Sequence, residues 1–280
     1  MTTLYGEVVV GTDGSGSATC AVHAAVTLAQ ALDVPLQIAT AWYRDQPDEP
    51  VPSEKAQMPG GTPAGHESAW ATEITSAAAG VARQAGITDV QQIQPIGAPA
   101  DALVEVGDQL PDALIVVGTR GLDSRSERLV GNVPHQLTHH AHQDLLLVSA
   151  ARPCDDGRSW NSIALATDGS DTAATACERG HQLADALGIE PTILVVAKDE
   201  ERGKRVVERA CQSYPSAENL DHEIVVSTAV SDALVDAGAA YDLLVIGNKG
   251  MSGPSRLLGS VANRVTHRVP TDLLLVNTTR

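Results

Sequence analysis

One pattern is written twice in this chain, and that duplication limits the folds open to it. Val8-Val9-Val10-Gly11-Thr12-Asp13-Gly14-Ser15 returns as Ile163-Ala164-Leu165-Ala166-Thr167-Asp168-Gly169-Ser170. Leu114-Ile115-Val116-Val117-Gly118-Thr119-Arg120-Gly121 returns as Leu243-Leu244-Val245-Ile246-Gly247-Asn248-Lys249-Gly250. Each half then closes with a glycine, a small polar residue, a polar helix carrying Thr-His, and the run Asp-Leu-Leu-Leu-Val. A repeat of this length is a whole domain copied rather than a short solenoid unit. The 280 residues leave room for two domains, 1–150 and 151–280, each able to bury its own core.

The first half reads as strand 7–12, helix 17–32, strand 36–42, helix 69–85, strand 90–96, helix 99–109, strand 113–118, helix 132–141 and strand 145–149. The second repeats the order: strand 162–167, helix 171–187, strand 191–197, helix 200–213, strand 222–228, helix 231–239, strand 242–247, helix 260–268 and strand 273–277. Residues 44–65, dense in Pro and Gly, have the composition of a mobile loop, and 150–161 reads as the linker. Strands alternating with helices imply βαβ units and a parallel sheet. The fold class expected is α/β: two tandem doubly wound parallel-sheet domains, Rossmann-like or flavodoxin-like, related by a pseudo-two-fold. Phe is absent, so the cores must be Val, Leu, Ile and Ala, which suits parallel strands covered by Ala-rich helices. The apolar last strands, 145–148 and 273–276, fall at sheet edges, and an apolar edge must be covered or paired. They are expected to face each other within the chain, which can then pair again as a homodimer.

A net charge of -16 argues against a nucleic-acid partner, because phosphate backbones need a Lys/Arg patch. It argues equally against an anionic membrane surface. No run approaches the roughly 18–20 apolar residues that span a bilayer. The first residues show no basic and apolar secretory signal, so a cytoplasmic location is expected. The four cysteines, Cys20, Cys154, Cys177 and Cys211, have no C-x-x-C spacing. Cys20 and Cys177 fall in predicted first helices and read as small buried hydrophobes in a reducing compartment.

Three features of each half converge on the C-terminal edge of the expected sheet, where α/β folds keep their ligands. The first is the acid after strand one, Asp13 or Asp168, whose carboxylate can meet a ribose hydroxyl or another polar edge. The second is a pair of glycines three apart, Gly118/Gly121 or Gly247/Gly250, where positive φ and close backbone approach to an anion are open. The third is a helix start, Gly131-Asn132-Val133 or Gly259-Ser260-Val261. There free N–H groups and the helix dipole favour phosphate, and Asn or Ser can cap. Each feature alone is ordinary turn chemistry; the ordered set, present twice, points to a ligand.

Other chemistries find less support. There is no G-x-x-x-x-G-K-[S/T] and no G-x-G-x-x-G after a strand. His135, His139, His140 and His142 crowd one helix, and the i,i+4 pair could hold zinc, yet the second half keeps only His267. A solvated helix face is the simpler reading. Ser15 and Ser17 lack a His/Asp partner set for nucleophilic catalysis. No catalytic residue and no metal ligand is assigned.

On these residues the sequence resembles the universal stress protein family in its tandem two-domain form. Nucleotide-binding members of that family carry G-x2-G-x9-G-[S/T] after strand four. The first half keeps the spacing from Gly118 to Gly131 with Asn132 in the last position; the second has Ser260 but only eight residues between Gly250 and Gly259. The resemblance implies a strand order 3-2-1-4-5 and ATP, accompanied by Mg²⁺, as ligand. It implies an adenine pocket of Asp13, Ala41 and Val117 in one half and Asp168, Ala197 and Ile246 in the other. Phosphates would meet the glycine loops and helix starts, with Arg120 and Lys249 as charge partners. The function implied is an ATP-binding, cytoplasmic stress-response regulator, with the first site the tighter because its loop keeps full length. Two alternatives stand beside it: a slow ATPase or self-phosphorylating enzyme, and an interaction scaffold without nucleotide. No general base or in-line water positioner is visible, so efficient hydrolysis is not expected.

Overall fold

Runs of Val, Leu and Ile supply ten strands among the described residues, and the Ala-rich segments between them supply eight α-helices. The computed structural model describes residues 4–43, 67–110, 112–120, 131–152, 154, 157–248 and 258–278. The first half runs β1 (Glu7–Gly11), α1 (Gly16–Leu32), β2 (Leu36–Ala39), α2 (Glu67–Gln84), β3 (Val90–Ile93), α3 (Pro99–Asp108), β4 (Ala113–Gly118), α4 (Asn132–His140) and β5 (Asp144–Val148). The second runs β6 (Ile163–Ala166), α5 (Asp171–Leu187), β7 (Thr192–Ala197), α6 (Glu200–Ser213), β8 (Asp221–Val226), α7 (Val230–Gly238), β9 (Leu243–Gly247), α8 (Ser260–Arg268) and β10 (Asp272–Val276). A short 3₁₀ turn, Pro215–Asn219, precedes β8 and had no expectation in the sequence.

All ten strands form one sheet, in the order β3-β2-β1-β4-β5-β10-β9-β6-β7-β8. Pairing is parallel within each half and antiparallel at the centre, where β5 meets β10. Side chains alternate between faces, so each strand feeds two cores. Val8, Val10, Leu114 and Val116 pack under α1 and α2, with Ile163, Leu165 and Val245 under α5 in the other half. Val9, Ile115, Val117, Leu145 and Leu147 face α3 and α4, with Leu244, Ile246 and Leu273 facing α7 and α8. The outer edges are polar: β3 reads Val-Gln-Gln-Ile and β8 begins Asp-His-Glu, a composition that discourages further strand addition.

The central pairing is symmetric about Leu146 and Leu274, which are partners, flanked by Leu147↔Leu273 and Leu145↔Leu275. The two apolar edges thus cover each other. Two fully buried aspartates close the seam. Asp144 accepts from the backbone N–H of Asn277 (2.8 Å), from the Tyr5 hydroxyl (2.8 Å) and from Arg179 of α5 (2.7 Å). Asp272 accepts from the backbone N–H of Ser149 (2.7 Å), from Trp160 Nε1 (2.8 Å), and from both Arg152 (3.1 Å) and Arg158 (2.8 Å at Nε). Tyr5 and Trp160 precede the first strand of their halves, so the two clasps repeat each other. Their cations differ: Asp144 draws on a helix and Asp272 on the segment between the halves.

That segment, expected as the linker, is itself bonded into the seam. Arg158 is 3 % exposed, its Nη1 donates to the Arg152 carbonyl, and Arg152 also pairs with Asp242 (2.8 Å). The reading of Cys20 as a free buried thiol fails, because Cys20 forms a disulfide with Cys154 across a sequence separation of 134, tying α1 to the same segment. Two cysteines so far apart meet only because α1 lies alongside the chain leaving β5, which spacing cannot disclose. Cys177 is free and buried as expected, and burial pushes its thiol up to about 12, leaving it unreactive near neutrality.

Replacing Asp272 by Asn would leave the buried guanidinium of Arg158 without its counter-charge. A loss of about 3–5 kcal/mol in unfolding free energy is expected from denaturant titration. Glu201→Gln, which breaks an exposed pair with Arg205, should cost less than about 0.5 kcal/mol by the same measurement.

Candidate functional site

Both halves end their first strand in the same turn. Gly14 (φ +78) and Gly169 (φ +76) occupy the left-handed region that only glycine enters without strain. Asp13 Oδ1 accepts from the Ser15 N–H (2.9 Å), and Asp168 Oδ1 accepts from the Ser170 N–H (3.0 Å). Thr12 and Thr167 hydroxyls accept from the N–H of the glycines (3.3 and 3.0 Å). Ser15 and Ser170 then cap α1 and α5 through Ala18 and Ala173. Each aspartate therefore uses one oxygen to build its turn; Asp13 is half-exposed and Asp168 exposed.

The end of the fourth strand abuts this turn. Gly118 has no positive φ, so conformational freedom is not why glycine stands there. A Cβ on Gly118 would strike the Ser17 hydroxyl and lie 2.6 Å from the Ser17 carbonyl, in the first turn of α1. The Arg120 N–H donates to the same Ser17 hydroxyl (3.2 Å). Gly247 is less crowded: its nearest neighbour would be the Thr278 methyl at 3.2 Å. Gly121, Lys249 and Gly250 lie outside the described residues.

The two loops are closed at their bases alike, with Gly131 N–H donating to Thr119 (2.8 Å) and Gly259 N–H to Asn248 (3.2 Å). Gly131 and Gly259 are themselves the N-caps of α4 and α8, and neither has a side-chain cap. Asn132 and Ser260, expected as caps, are instead the first helical residues, and both are exposed. The N–H groups of Asn132 and Val133 donate to no described residue, as do those of Ser260, Val261 and Ala262. Pro134 has no N–H, so α4 offers one donor fewer than α8 in this turn. That difference is legible in the sequence, where Pro134 stands opposite Ala262.

The proposed adenine-side positions divide. Val117 and Ile246 are buried on the α3/α4 and α7/α8 face, near the ends of their strands. Ala41, half-buried, follows β2 two residues beyond Ala39, which packs on that same face. Ala197 packs on the opposite face with Val195, whereas Val196 packs beside Ile246. The register sets Gly11 against Ala39 and Ala166 against Leu194, so Val196 rather than Ala197 matches Ala41. A one-residue slip in matching the second strands exchanges the faces. A cavity of about 470 Å³ opens at the other end of the sheet, beside His181, Asp185 and Ser216, away from all of these residues.

Comparison with known proteins places this architecture. The sequence model of the Universal stress protein family matches residues 4–149 and 221–277. The chain belongs to the universal stress protein family. The universal stress proteins MT1672 and Rv1636 of two Mycobacterium tuberculosis strains are each 36% identical over 148 residues, covering 51% of this chain and 96% of theirs. A universal stress protein structure from Archaeoglobus fulgidus covers 98% of both chains with a TM-score of 0.65 at 17% identity, which speaks for the fold. A universal stress protein in complex with cAMP is 37% identical, covers 52% of this chain and 97% of its own, and has a TM-score of 0.40. As a universal stress protein the chain carries the family fold twice. The family match leaves out 150–220, yet β6, α5 and β7 within that gap reproduce the Asp-Gly-Ser turn bond for bond. Among the described residues no helix is long and apolar enough to cross a membrane.

The unequal crowding of the two strand-end glycines gives a direct check. Gly118→Ala must push apart β4 and the first turn of α1 and should destabilise by about 1–3 kcal/mol. Gly247→Ala meets only a methyl group that can shift, and below about 1 kcal/mol is expected. Thermal unfolding of both variants measures the difference.

Proposed function

We propose that the protein binds an adenine nucleotide, chiefly ATP with Mg²⁺, at the C-terminal edge of its sheet and acts as a nucleotide-dependent regulator in the cytoplasm. The observation that supports this most is the placement in each half of an Asp-Gly-Ser turn, a strand-end glycine and an uncapped helix N-terminus on one edge. Hydrogen bonds link them in the first half: Ser17 on α1 accepts from Arg120, and Thr119 accepts from Gly131 at the start of α4. N–H groups without a described acceptor, at the positive end of a helix dipole, suit the phosphates. The carboxylate of Asp13 or Asp168, at the strand end, suits a ribose hydroxyl. Domain limits of 1–150 and 151–280 belong to this reading.

The first site is proposed as the tighter one. Its loop keeps nine residues between Gly121 and Gly131, where the second has eight between Gly250 and Gly259. Pro134 works against that ranking by removing one donor, so the ranking rests on loop length outweighing a single N–H. Nucleotide analysis of natively extracted protein, followed by calorimetry with ATP, AMP and cAMP, tests the reading. Asparagine is the informative replacement, because Asp13→Asn and Asp168→Asn keep the acceptor that the turn needs. Loss of one charge-assisted hydrogen bond, about 1.5–3 kcal/mol, should weaken the affected site by roughly ten- to a hundred-fold or more. Asp13→Asn is expected to remove the tighter isotherm and Asp168→Asn to spare it. The reverse result refutes the ranking, and the absence of any binding favours the scaffold alternative.

A further inference from the structure

Three imidazoles meet where the two halves join, and the nucleotide reading gives them no role. His135 and His139 stand one turn apart on α4 with ring centroids 4.9 Å apart. His267, on α8 of the other half, brings its ring to 5.2 Å from His135. All three are half-buried. Among the described residues no group of His, Cys, Asp or Glu is arranged to hold a metal ion, so a bridging cation does not account for the cluster.

Among the described residues the charges around it offer no compensation. On α4 the next residue, His140, is exposed and would add to any positive charge. On α8, Arg264 and Arg268 flank His267 in sequence, and both turn to Asp232 of α7, whose carboxylate they share. On α3, packed against α4, Asp101 and Glu105 are exposed and Asp108 holds His142 (2.8 Å). From the sheet, Asp144 and Asp272 are committed to the seam clasps. Burial first, then neighbouring imidazoles, hold both His139 and His267 below the ordinary histidine range, and no carboxylate of the described residues opposes them.

We propose that His135, His139 and His267 form a proton-sensing contact between the halves, closed while the rings are neutral and opened by mutual repulsion once they are protonated. A group whose pKa is lowered in the folded state binds fewer protons there than in the open or unfolded state. The contact is therefore fully stable above the ordinary histidine pKa and weakens as pH falls below it. The helices that carry the cluster also begin at Gly131 and Gly259, so opening the contact would disturb both helix starts together. That corollary rests on the nucleotide reading; the contact itself does not.

The test uses the full chain without nucleotide. His135→Asn installs the residue type found at the matching position of α8, Asn263, and His267→Gln removes the ring on the other side. Thermal midpoints and histidine ring resonances are followed from about pH 7.5 to about pH 5.5, the range over which imidazoles charge. The wild-type midpoint should fall on acidification, with α4 and α8 amide resonances shifting together, and both variants should flatten the fall. In His135→Asn, the titrations of His139 and His267 should move up toward the ordinary value. Should the fall survive in both variants, or should His139 and His267 titrate unchanged in His135→Asn, the proposal is overturned. Where His135→Asn fails to fold, His267→Gln carries the test through the thermal midpoint and the His139 titration, which should likewise move up.

Discussion

Two carboxylates with no access to water, Asp144 and Asp272, hold the ten-stranded sheet in register. Leucines alone would let β5 and β10 slide, because a run of identical apolar side chains is nearly as content two residues along. The aspartates forbid it. Each sits at the start of its strand and accepts the backbone N–H just past the end of the other, so the pairing is pinned at both ends. A slip would leave two buried charges without donors, a cost no added leucine contact offsets.

The candidate sites hang from the same strand ends. Thr119, at the base of the first loop, receives the N–H of Ala150 and donates to Val148; Ser149, between them, donates to Asp272. In the second half Asn248 donates to Asn277 and accepts from Thr278, while Asn277 donates to Asp144. Seam and loop bases are therefore built from neighbouring residues, and the geometry that joins the halves also fixes where each glycine loop begins. The His135–His267 contact lies across the same seam, one layer out from the sheet.

Much of this was legible in the residues. The strand and helix order follows from alternating apolar runs, and α5, α6 and α8 fall where periodicity and capping residues place them. The repeated Asp-Gly-Ser could be read as a turn because glycine and a capping serine each have a local physical role. What escaped reading depends on partners distant in sequence. The aspartates of Asp-Leu-Leu-Leu-Val were visible as repeats, but their burial depends on Tyr5, Trp160, Arg158 and Arg179, none of them close in sequence. Gly118 looked like a residue chosen for φ and proved to be one chosen for clearance from Ser17. The resemblance implies Ala197 as the counterpart of Ala41, where register and face favour Val196. Cys20 and Cys154 gave no sign of each other.

Joining two copies in one chain also changes what substitution can do. In a symmetric pair of identical chains every change appears on both sides of the axis, so a residue useful on one side must be tolerable on the other. Here the copies vary singly. Pro134 shortens the donor row of α4 while Ala262 keeps that of α8, and Ile74 packs on one turn glycine where Arg209 packs on the other. His135 faces its partner half alone, with asparagine at the equivalent place. The continuous chain keeps the halves at fixed stoichiometry at any dilution and the seam keeps their orientation, so one copy can drift toward a separate task while the shared sheet is preserved.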